Sequence, residues 1–376
     1  VSVFGLREGS SVEAAIFANA VAIRYADWND CLPRSGHPSD MVAAFAAMAE
    51  ATGASGLDLI TAMHVAYEVV DALGVVPLRD RKWDQGVYVS IGVAAGLSQL
   101  LSLTDSQTSN AIAIALAPSI PLRVTRTGDG AAKAGLTGPP QVFSGIEGLF
   151  EQVTGAFDLG RIRPDAGGRS AHQRVQHKFY PAEMNTQTAI QVMLSLRGQF
   201  ALADVETIDI ATYRTAWHET GGGQGDAPEK WNPQNRETAD HSMPYYMAVA
   251  LVDGAVSLDS FVDARIRDPL LRPILKKIRV VENPDFTAGQ RERGEQPAEI
   301  TVRLNDGQVL REQQLRPRGH IDNPMSDDEI SAKFRIGLDH LLPRQEAEEL
   351  LDRLWHLDTE ASVNRIGSLF RRFGSQ

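Results

Sequence analysis

The sequence predicts a mainly α protein, with a large all-α helical domain built from both chain ends and a smaller α+β domain inserted between them. Three observations predict this. Between residues 11 and 117 apolar residues recur at helical spacing, separated by short polar connections. After residue 200 the period changes to strand-like alternation and a hairpin signal appears. From Ser326 to the end the pattern is helical and amphipathic again, as suits segments returning to the first domain. The expected division is 1–173 plus 323–376 for the helical domain and 174–322 for the insert. The polar, Gly-bearing stretch 160–174 forms the first junction.

Each element follows from its local pattern. Residues 11–26 read as a helix capped by Ser11, with Ala14, Ala15, Ala18 and Ala22 at helical spacing. A polar run, Asp27-Trp28-Asn29-Asp30-Cys31-Leu32-Pro33-Arg34-Ser35-Gly36-His37-Pro38-Ser39-Asp40, separates it from a second helix expected to start at Ser39 and run to Glu50. Helices over 57–73, 87–101 and 105–117 follow, the last stopped by Pro118 and Pro121. A short helix is expected over 145–155. In the insert, 183–200 reads as a helix and 205–213 as a strand with Ile208 and Ile210 on one face. Residues 221–235 read as a polar loop, and 242–252 and 257–266 as helices. A strand at 278–282 and a hairpin of 300–304 with 309–312 around Asn305-Asp306-Gly307 complete three or four antiparallel strands.

Composition narrows the function. A chain of 376 residues exceeds one typical small core, and its 43% hydrophobic and 23% charged content is that of a soluble globular protein. The formal charge of −11 argues against nucleic acid or an anionic membrane as the main partner. A single cysteine, Cys31, permits no internal disulfide and suits a reducing cytosol, so a cytoplasmic setting is expected. No apolar run reaches membrane-spanning length, and the first residues lack the order of a signal peptide. The first residue is Val1 rather than Met, which suggests a fragment.

The polar run from Asp27 is the first candidate site. Neither a recurrent His/carboxylate spacing nor paired cysteines supports a metal, so none is expected. Cys31 lacks the surroundings of a nucleophile elbow. General acid–base chemistry fits a histidine beside several carboxylates better. The bland alternative stays open on residue types alone: Asp30 and Asp40 cap helices, and His37 bonds the backbone. A second candidate is His177-Lys178-Phe179-Tyr180-Pro181-Ala182-Glu183, where Lys178 among aromatics is either an anion clamp or a snorkelling surface lysine. Arg236-Glu237-Thr238-Ala239-Asp240-His241-Ser242 reads as a capped helix start. Arg123 and Arg126 beside hydroxyls either bind carboxylates bidentately or are simply solvated. Gly221-Gly222-Gly223 lacks the lysine and spacing of a phosphate loop.

The Asp27-Trp28-Asn29-Asp30 loop with His37-Pro38-Ser39-Asp40, then Ala66-Tyr67-Glu68-Val69, Trp83-Asp84-Gln85-Gly86 and Leu136-Thr137-Gly138-Pro139, resemble the MmgE/PrpD family. So do Lys178-Phe179-Tyr180-Pro181-Ala182-Glu183, Glu237-Thr238-Ala239-Asp240-His241-Ser242 and Asn323-Pro324-Met325-Ser326. The matches run in order over nearly the whole chain. The resemblance implies the same fold, with the α+β insert as a lid, and a homodimer that needs no cofactor. It also implies action on small polycarboxylates such as 2-methylcitrate, by moving a proton at a carbon next to a carboxylate. Family members include dehydratases, decarboxylases and an epimerase.

Residue by residue, the resemblance makes Asp27, His37 and Lys178 the catalytic candidates. Asp30, Gln85, Arg126, Glu183 and Tyr245 are the substrate-binding candidates. Cys31 stands where relatives often have threonine and reads as a wall residue. Gln85 and Glu183 fall where decarboxylase-type members have histidines, which weighs against decarboxylation. Related chains also carry a helix and a preceding lysine where this chain passes from Gly128 to Leu136, and Lys133 lies too close to Leu136 to replace that lysine. They carry a helical region ahead of Val1 as well. Omitted residues explain the gap after Gly128 better than a true loss, since losing a core helix leaves an apolar void.

The expected activity is a hydro-lyase: His37 removes the proton, Asp27 orients it, Lys178 and Arg126 hold the substrate, and a second acid assists the departing hydroxide. An epimerase and an impaired carboxylate-binding relative are the alternatives.

Overall fold

The computed structural model describes residues 1–33, 35–74, 86–119, 143–144, 149–151, 155–156, 168–338 and 341–372. The chain forms two compact units. One comprises Val1–Tyr25, Asn29–Gln176 and Ser326–Gln376; the other comprises Ala26–Trp28 and His177–Met325. The protein is mainly α, with a small sheet in its C-terminal half.

The first unit is helical. Its front consists of α1 (Val12–Tyr25), α2 (Val42–Thr52), α3 (Gly56–Leu73), α4 (Gly86–Leu100) and α5 (Asp105–Ser119). Ser55 starts α3 with a capping box: its hydroxyl accepts from the Asp58 N–H while the Asp58 carboxylate accepts from the Ser55 N–H. Phe45, Val70, Leu73, Tyr88 and Leu116 are all but sealed from solvent in one core. Burial of such side chains contributes about 1.5–3 kcal/mol each. The small residues of α4 set how closely helices approach. A Cβ at Gly96 would fall 2.5 Å from the Ala62 carbonyl oxygen and 2.6 Å from the Phe45 ring.

Two boundaries differ from the sequence expectation. Ser39 does not cap α2. A 3₁₀ turn, Pro38–Met41, comes first, and the Ser39 N–H donates to Asp30 Oδ1 at 3.0 Å. The α5 helix continues through Pro118 to Ser119. The helix expected over 145–155 falls largely outside the described residues.

The second unit holds a four-stranded sheet. Its strands are β1 (Val205–Thr212), β2 (Ile278–Glu282), β3 (Ala298–Leu304) and β4 (Val309–Gln314), in the order β2-β1-β3-β4. The hairpin around Asp306-Gly307 forms as expected, and Ile208 and Ile210 are both buried. The expectation of an all-antiparallel sheet is corrected, because β1 and β2 run parallel with Ile208 opposite Ile278. A parallel pair needs a long crossover, which the helical residues between the two strands supply.

That crossover contains α7 (Arg214–Thr220) and α8 (Met243–Asp253), and follows α6 (Gln187–Leu196). Ser242 caps α8, accepting from the Tyr245 N–H at 3.1 Å, and every residue from Met243 to Leu251 is buried. The helices expected over 183–200 and 257–266 are shorter or broken. Glu183 stands outside its helix as a cap, before a 3₁₀ turn and α6, and the later segment is two separate turns. Residues 221–235 include the turn Ala227–Lys230. The polar helix α9 (Pro284–Arg293), started by Asn283, has no apolar stripe to announce it.

The chain's final helices, Asp327–Leu338, Arg344–Trp355 and Asn364–Arg372, belong to the first unit. The Val363 N–H donates to the Ala54 carbonyl at 3.0 Å, and the Gly56 N–H donates to that of Glu360 at 2.8 Å. The Glu50 carboxylate accepts from the Ser2 N–H and hydroxyl and pairs with Arg371. Among the described residues no helix is long and apolar enough to cross a membrane.

One backbone contact bears directly on the site. The His177 N–H donates to the Gly319 carbonyl at 2.9 Å. Gly319 has φ +91°, and a Cβ there would fall 1.9 Å from the His177 carbonyl oxygen. Gly319→Ala is therefore expected to destabilise the protein by at least about 1–2 kcal/mol from the left-handed backbone alone. The clash adds to that by displacing the segment bearing Lys178. A urea midpoint equal to that of the parent protein would contradict this.

Candidate active site

The site in the second unit is built around Lys178, whose side chain is only 1% exposed. Its Nζ lies 2.8 Å from Asp27 Oδ2 and 2.8 Å from the Asp27 backbone oxygen. The alternative of a snorkelling surface lysine is thereby excluded. Asp27 has φ +46°, in the left-handed region. The next residue anchors this turn, as Trp28 Nε1–H donates to the Phe179 carbonyl at 3.1 Å. Loop and lysine segment are thus tied at two consecutive positions.

Glu183 lies within electrostatic reach of the pair. Its Oε2 accepts from the Asn185 N–H at 2.7 Å and its Oε1 from Asn185 Nδ2 at 2.8 Å. The same Nδ2 donates to Glu219 Oε2 at 3.1 Å, and Asn185 Oδ1 accepts from the hydroxyl of buried Tyr213 at 2.6 Å. Glu183 keeps some accessible surface, yet protein surrounds its carboxyl group. Burial pushes that carboxyl up to about 7; Lys178 opposes the rise, and Glu219 and Asp27 add to it.

His241 is a residue the sequence reading missed, having been absorbed into a capped helix start. Its Nδ1 lies 2.6 Å from Asp240 Oδ1, and the ring is half exposed. The Asp240 hydrogen bond is the main cause that raises its pKa. Burial opposes it, and the charges of Asp240, Glu183 and Asp27 add to the rise. The detectable signal was the adjacent acid and histidine just before the apolar α8.

Other candidates fall differently. Tyr245, expected to bind substrate, is fully buried in the core, and its hydroxyl donates to the Ser260 carbonyl. Its neighbour Tyr246 is the tyrosine bonded to Glu183, accepting from the Glu183 N–H at 3.1 Å while donating to the Asp240 carbonyl. One helical step separates the two, about 100° around α8.

In the first unit, Asp30 is buried, and both carboxylate oxygens are engaged locally. Oδ1 accepts from the Ser39 N–H at 3.0 Å and Oδ2 from the Tyr67 hydroxyl at 2.8 Å. That arrangement supports the loop rather than presenting a charge. His37 is half-buried, with Nδ1 2.6 Å from the Asp30 carbonyl. The neutral ring then carries its proton on Nδ1, and Nε2 is the basic nitrogen. Asn29 Nδ2 donates to Asp40 Oδ1 and to Ser39 Oγ, bracing the same loop. Gln85, Arg126 and the segment from Gly128 to Leu136 lie outside the described residues. Among the described residues, no group of three or more His, Cys, Asp or Glu is disposed to hold a metal ion.

Comparison with known proteins identifies the family. The family model of the MmgE/PrpD N-terminal domain matches residues 1–161, and that of the MmgE/PrpD C-terminal domain matches residues 180–357. The chain belongs to the MmgE/PrpD family, an enzyme family of lyases. It is 26% identical to the cis-aconitate decarboxylase of Homo sapiens, over 95% of this chain and 79% of that protein. The enzyme of the same name from Mus musculus is 25% identical, over 90% and 74%. The 2-methylcitrate dehydratase of Cupriavidus necator is 26% identical, over 90% and 78%.

Two measurements check the electrostatics. Lys178→Met leaves a buried carboxylate without its partner and is expected to cost about 3–5 kcal/mol in urea unfolding. The double change Lys178→Met with Asp27→Asn should recover part of that loss. Separately, the His241 ring is expected to titrate above 6.5 by NMR and to move back towards 6.5 in Asp240→Asn. Because the folded state holds this proton more tightly, the stability it contributes is full below 6.5 and disappears as pH rises through the folded value. An Asp240→Asn titration identical to that of the parent protein would remove the dyad from the account.

Proposed function

We propose that this chain is a cofactor-independent hydro-lyase that removes water from a small hydroxylated polycarboxylate such as 2-methylcitrate. The observation that carries this reading is the buried Lys178–Asp27 pair next to Glu183 and the Asp240–His241 dyad. A hydrogen next to a carboxylate is weakly acidic, because its removal piles negative charge onto that carboxylate. A preorganised ammonium and hydrogen-bond donors lower this cost most where water is scarce. Lys178 supplies the ammonium, and Asp27 holds it in place.

A base must take the hydrogen, and His37 is our first choice because its Nδ1 contact with the Asp30 carbonyl makes Nε2 the acceptor. The electrons of the broken C–H bond form the new alkene as the hydroxyl group leaves with a proton from an acid. His241, backed by Asp240, is a second acid–base group of the right kind. The similarity to 2-methylcitrate dehydratases and cis-aconitate decarboxylases supports lyase chemistry on such acids. A cytoplasmic homodimer belongs to the same proposal, and light scattering tests the dimer.

The test is to incubate the protein with 2-methylcitrate, citrate and related acids and follow the ultraviolet absorbance of a conjugated alkene. His37→Asn is expected to lower turnover by about 10²–10⁴-fold with an unchanged circular-dichroism spectrum. Solvent deuterium entering the substrate with no alkene formed would shift the assignment to an epimerase. Neither alkene nor deuterium with any of these acids would sink both readings.

A further inference from the structure

We infer that Glu183 is the acid that protonates the departing hydroxyl group, and that Asn185, held by Tyr213, is the positioning residue that aims it. The inference rests on the lyase reading and adds to it the identity of the second acid.

Burial and charge give the first reason. Burial is the largest influence on the Glu183 carboxyl; the Lys178 ammonium opposes it, the carboxylates of Glu219 and Asp27 add to it, and the His241 ring also lies within electrostatic reach of Glu183 and Asp27. Asp27 holds Lys178 directly through both its side chain and its backbone oxygen. Three carboxyl groups thus crowd around the Lys178 ammonium in a protein-enclosed place, with the half-exposed His241 ring nearby, and like charges there repel one another. Glu183 is the one whose surroundings, burial first, retain its proton up to about 7. A carboxylic acid that stays protonated near neutrality is suited to proton donation.

Geometry gives the second reason. Glu183 caps the turn before α6 rather than lying within a helix, so the Asn185 N–H is available to its Oε2. The Asn185 side chain then spans Glu183 and Glu219 with one amide group. Tyr213 decides which way that amide faces. Its hydroxyl donates to Oδ1 at 2.6 Å, which leaves Nδ2 to donate to the two carboxyl groups. The reverse orientation would set the amide oxygen against both acids. Asn185 therefore fixes the carboxyl plane of Glu183 and ties it to the neighbouring Glu219.

The step balances. The base takes the hydrogen, the C–H electron pair becomes the second bond of the alkene, and the C–O bond breaks with its pair on oxygen. That oxygen takes the Glu183 proton and leaves as water. Glu183 ends as a carboxylate and is reprotonated from solvent, with which it keeps some contact.

The test uses two substrates of the intact enzyme: the hydroxy acid, and its analogue with fluorine in place of the departing hydroxyl. Fluoride leaves as an anion and needs no proton. Glu183→Gln is expected to slow water elimination by about 100-fold or more while changing fluoride elimination by less than about threefold. Equal loss with both substrates would overturn the assignment in favour of a binding or folding role, and no loss with either would overturn it outright. Asn185→Leu removes the Nδ2 bond but keeps the backbone donor. It is expected to move the alkaline limb of kcat/KM, near 7 in the parent enzyme, to higher pH, because losing a donor to the carboxylate favours the protonated form. An unmoved limb would overturn the positioning role. Failure of the underlying lyase reading looks different, since the unaltered enzyme would then eliminate neither water nor fluoride.

Discussion

The contact between the Lys178 ammonium and Asp27 is the constraint on which the rest of the second unit's site depends. Moving an ammonium out of water costs several kcal/mol, and only close, well-oriented oxygens offset it. Asp27 supplies two, one from its side chain and one from its backbone. Using both requires the peptide to turn back on itself, and the left-handed φ at Asp27 does this. Trp28 then fastens the turn to Phe179, and Gly319 accepts from His177, so both flanks of Lys178 are held by backbone contacts.

With the lysine committed in this way, burial is what chiefly raises the proton affinity of Glu183, and the charges of Glu219 and Asp27 add to it. These surroundings separate the protonation states of neighbouring groups. Asp27 is paired, Glu183 holds its proton towards neutrality, and His241 holds one more tightly against Asp240. A set of groups with separated proton affinities can give and take protons at a single pH, as the elimination of water requires. Lyase relatives matched over nine-tenths of the chain are consistent with that demand.

Much of this was legible in the chain, but unevenly. Asp27 and Lys178 stood out because a polar run between Ala-rich helices, and a lysine among aromatics, are costly patterns for a plain surface. The capping signal at Ser242 and the Asp306-Gly307 turn act over three or four residues and were readable for that reason. The burial of Tyr245 was not legible because neighbouring tyrosines on a helix buried all round share composition and differ only in direction. His241 was lost for a related reason: an acid, a histidine and a serine before an apolar run satisfy the rules for a helix start whether or not they do chemistry. Asp30 carried the right charge, but its partners, Ser39 nine residues on and Tyr67 on α3, appear only when the loop is folded. The direction of β2 was invisible too, since strand alternation records faces and not polarity.

The turn at Asp27 also sets what evolution can try at that position. Short polar side chains tolerate left-handed backbone because they bond locally, and longer ones do not. Glutamate, the nearest acid in charge, therefore meets resistance from the main chain before its carboxylate is considered. Asparagine and glycine suit the turn but surrender the charge that neutralises Lys178. The alphabet of neutral drift at this position is thus nearly a single letter, imposed from two independent directions by backbone shape and by electrostatics.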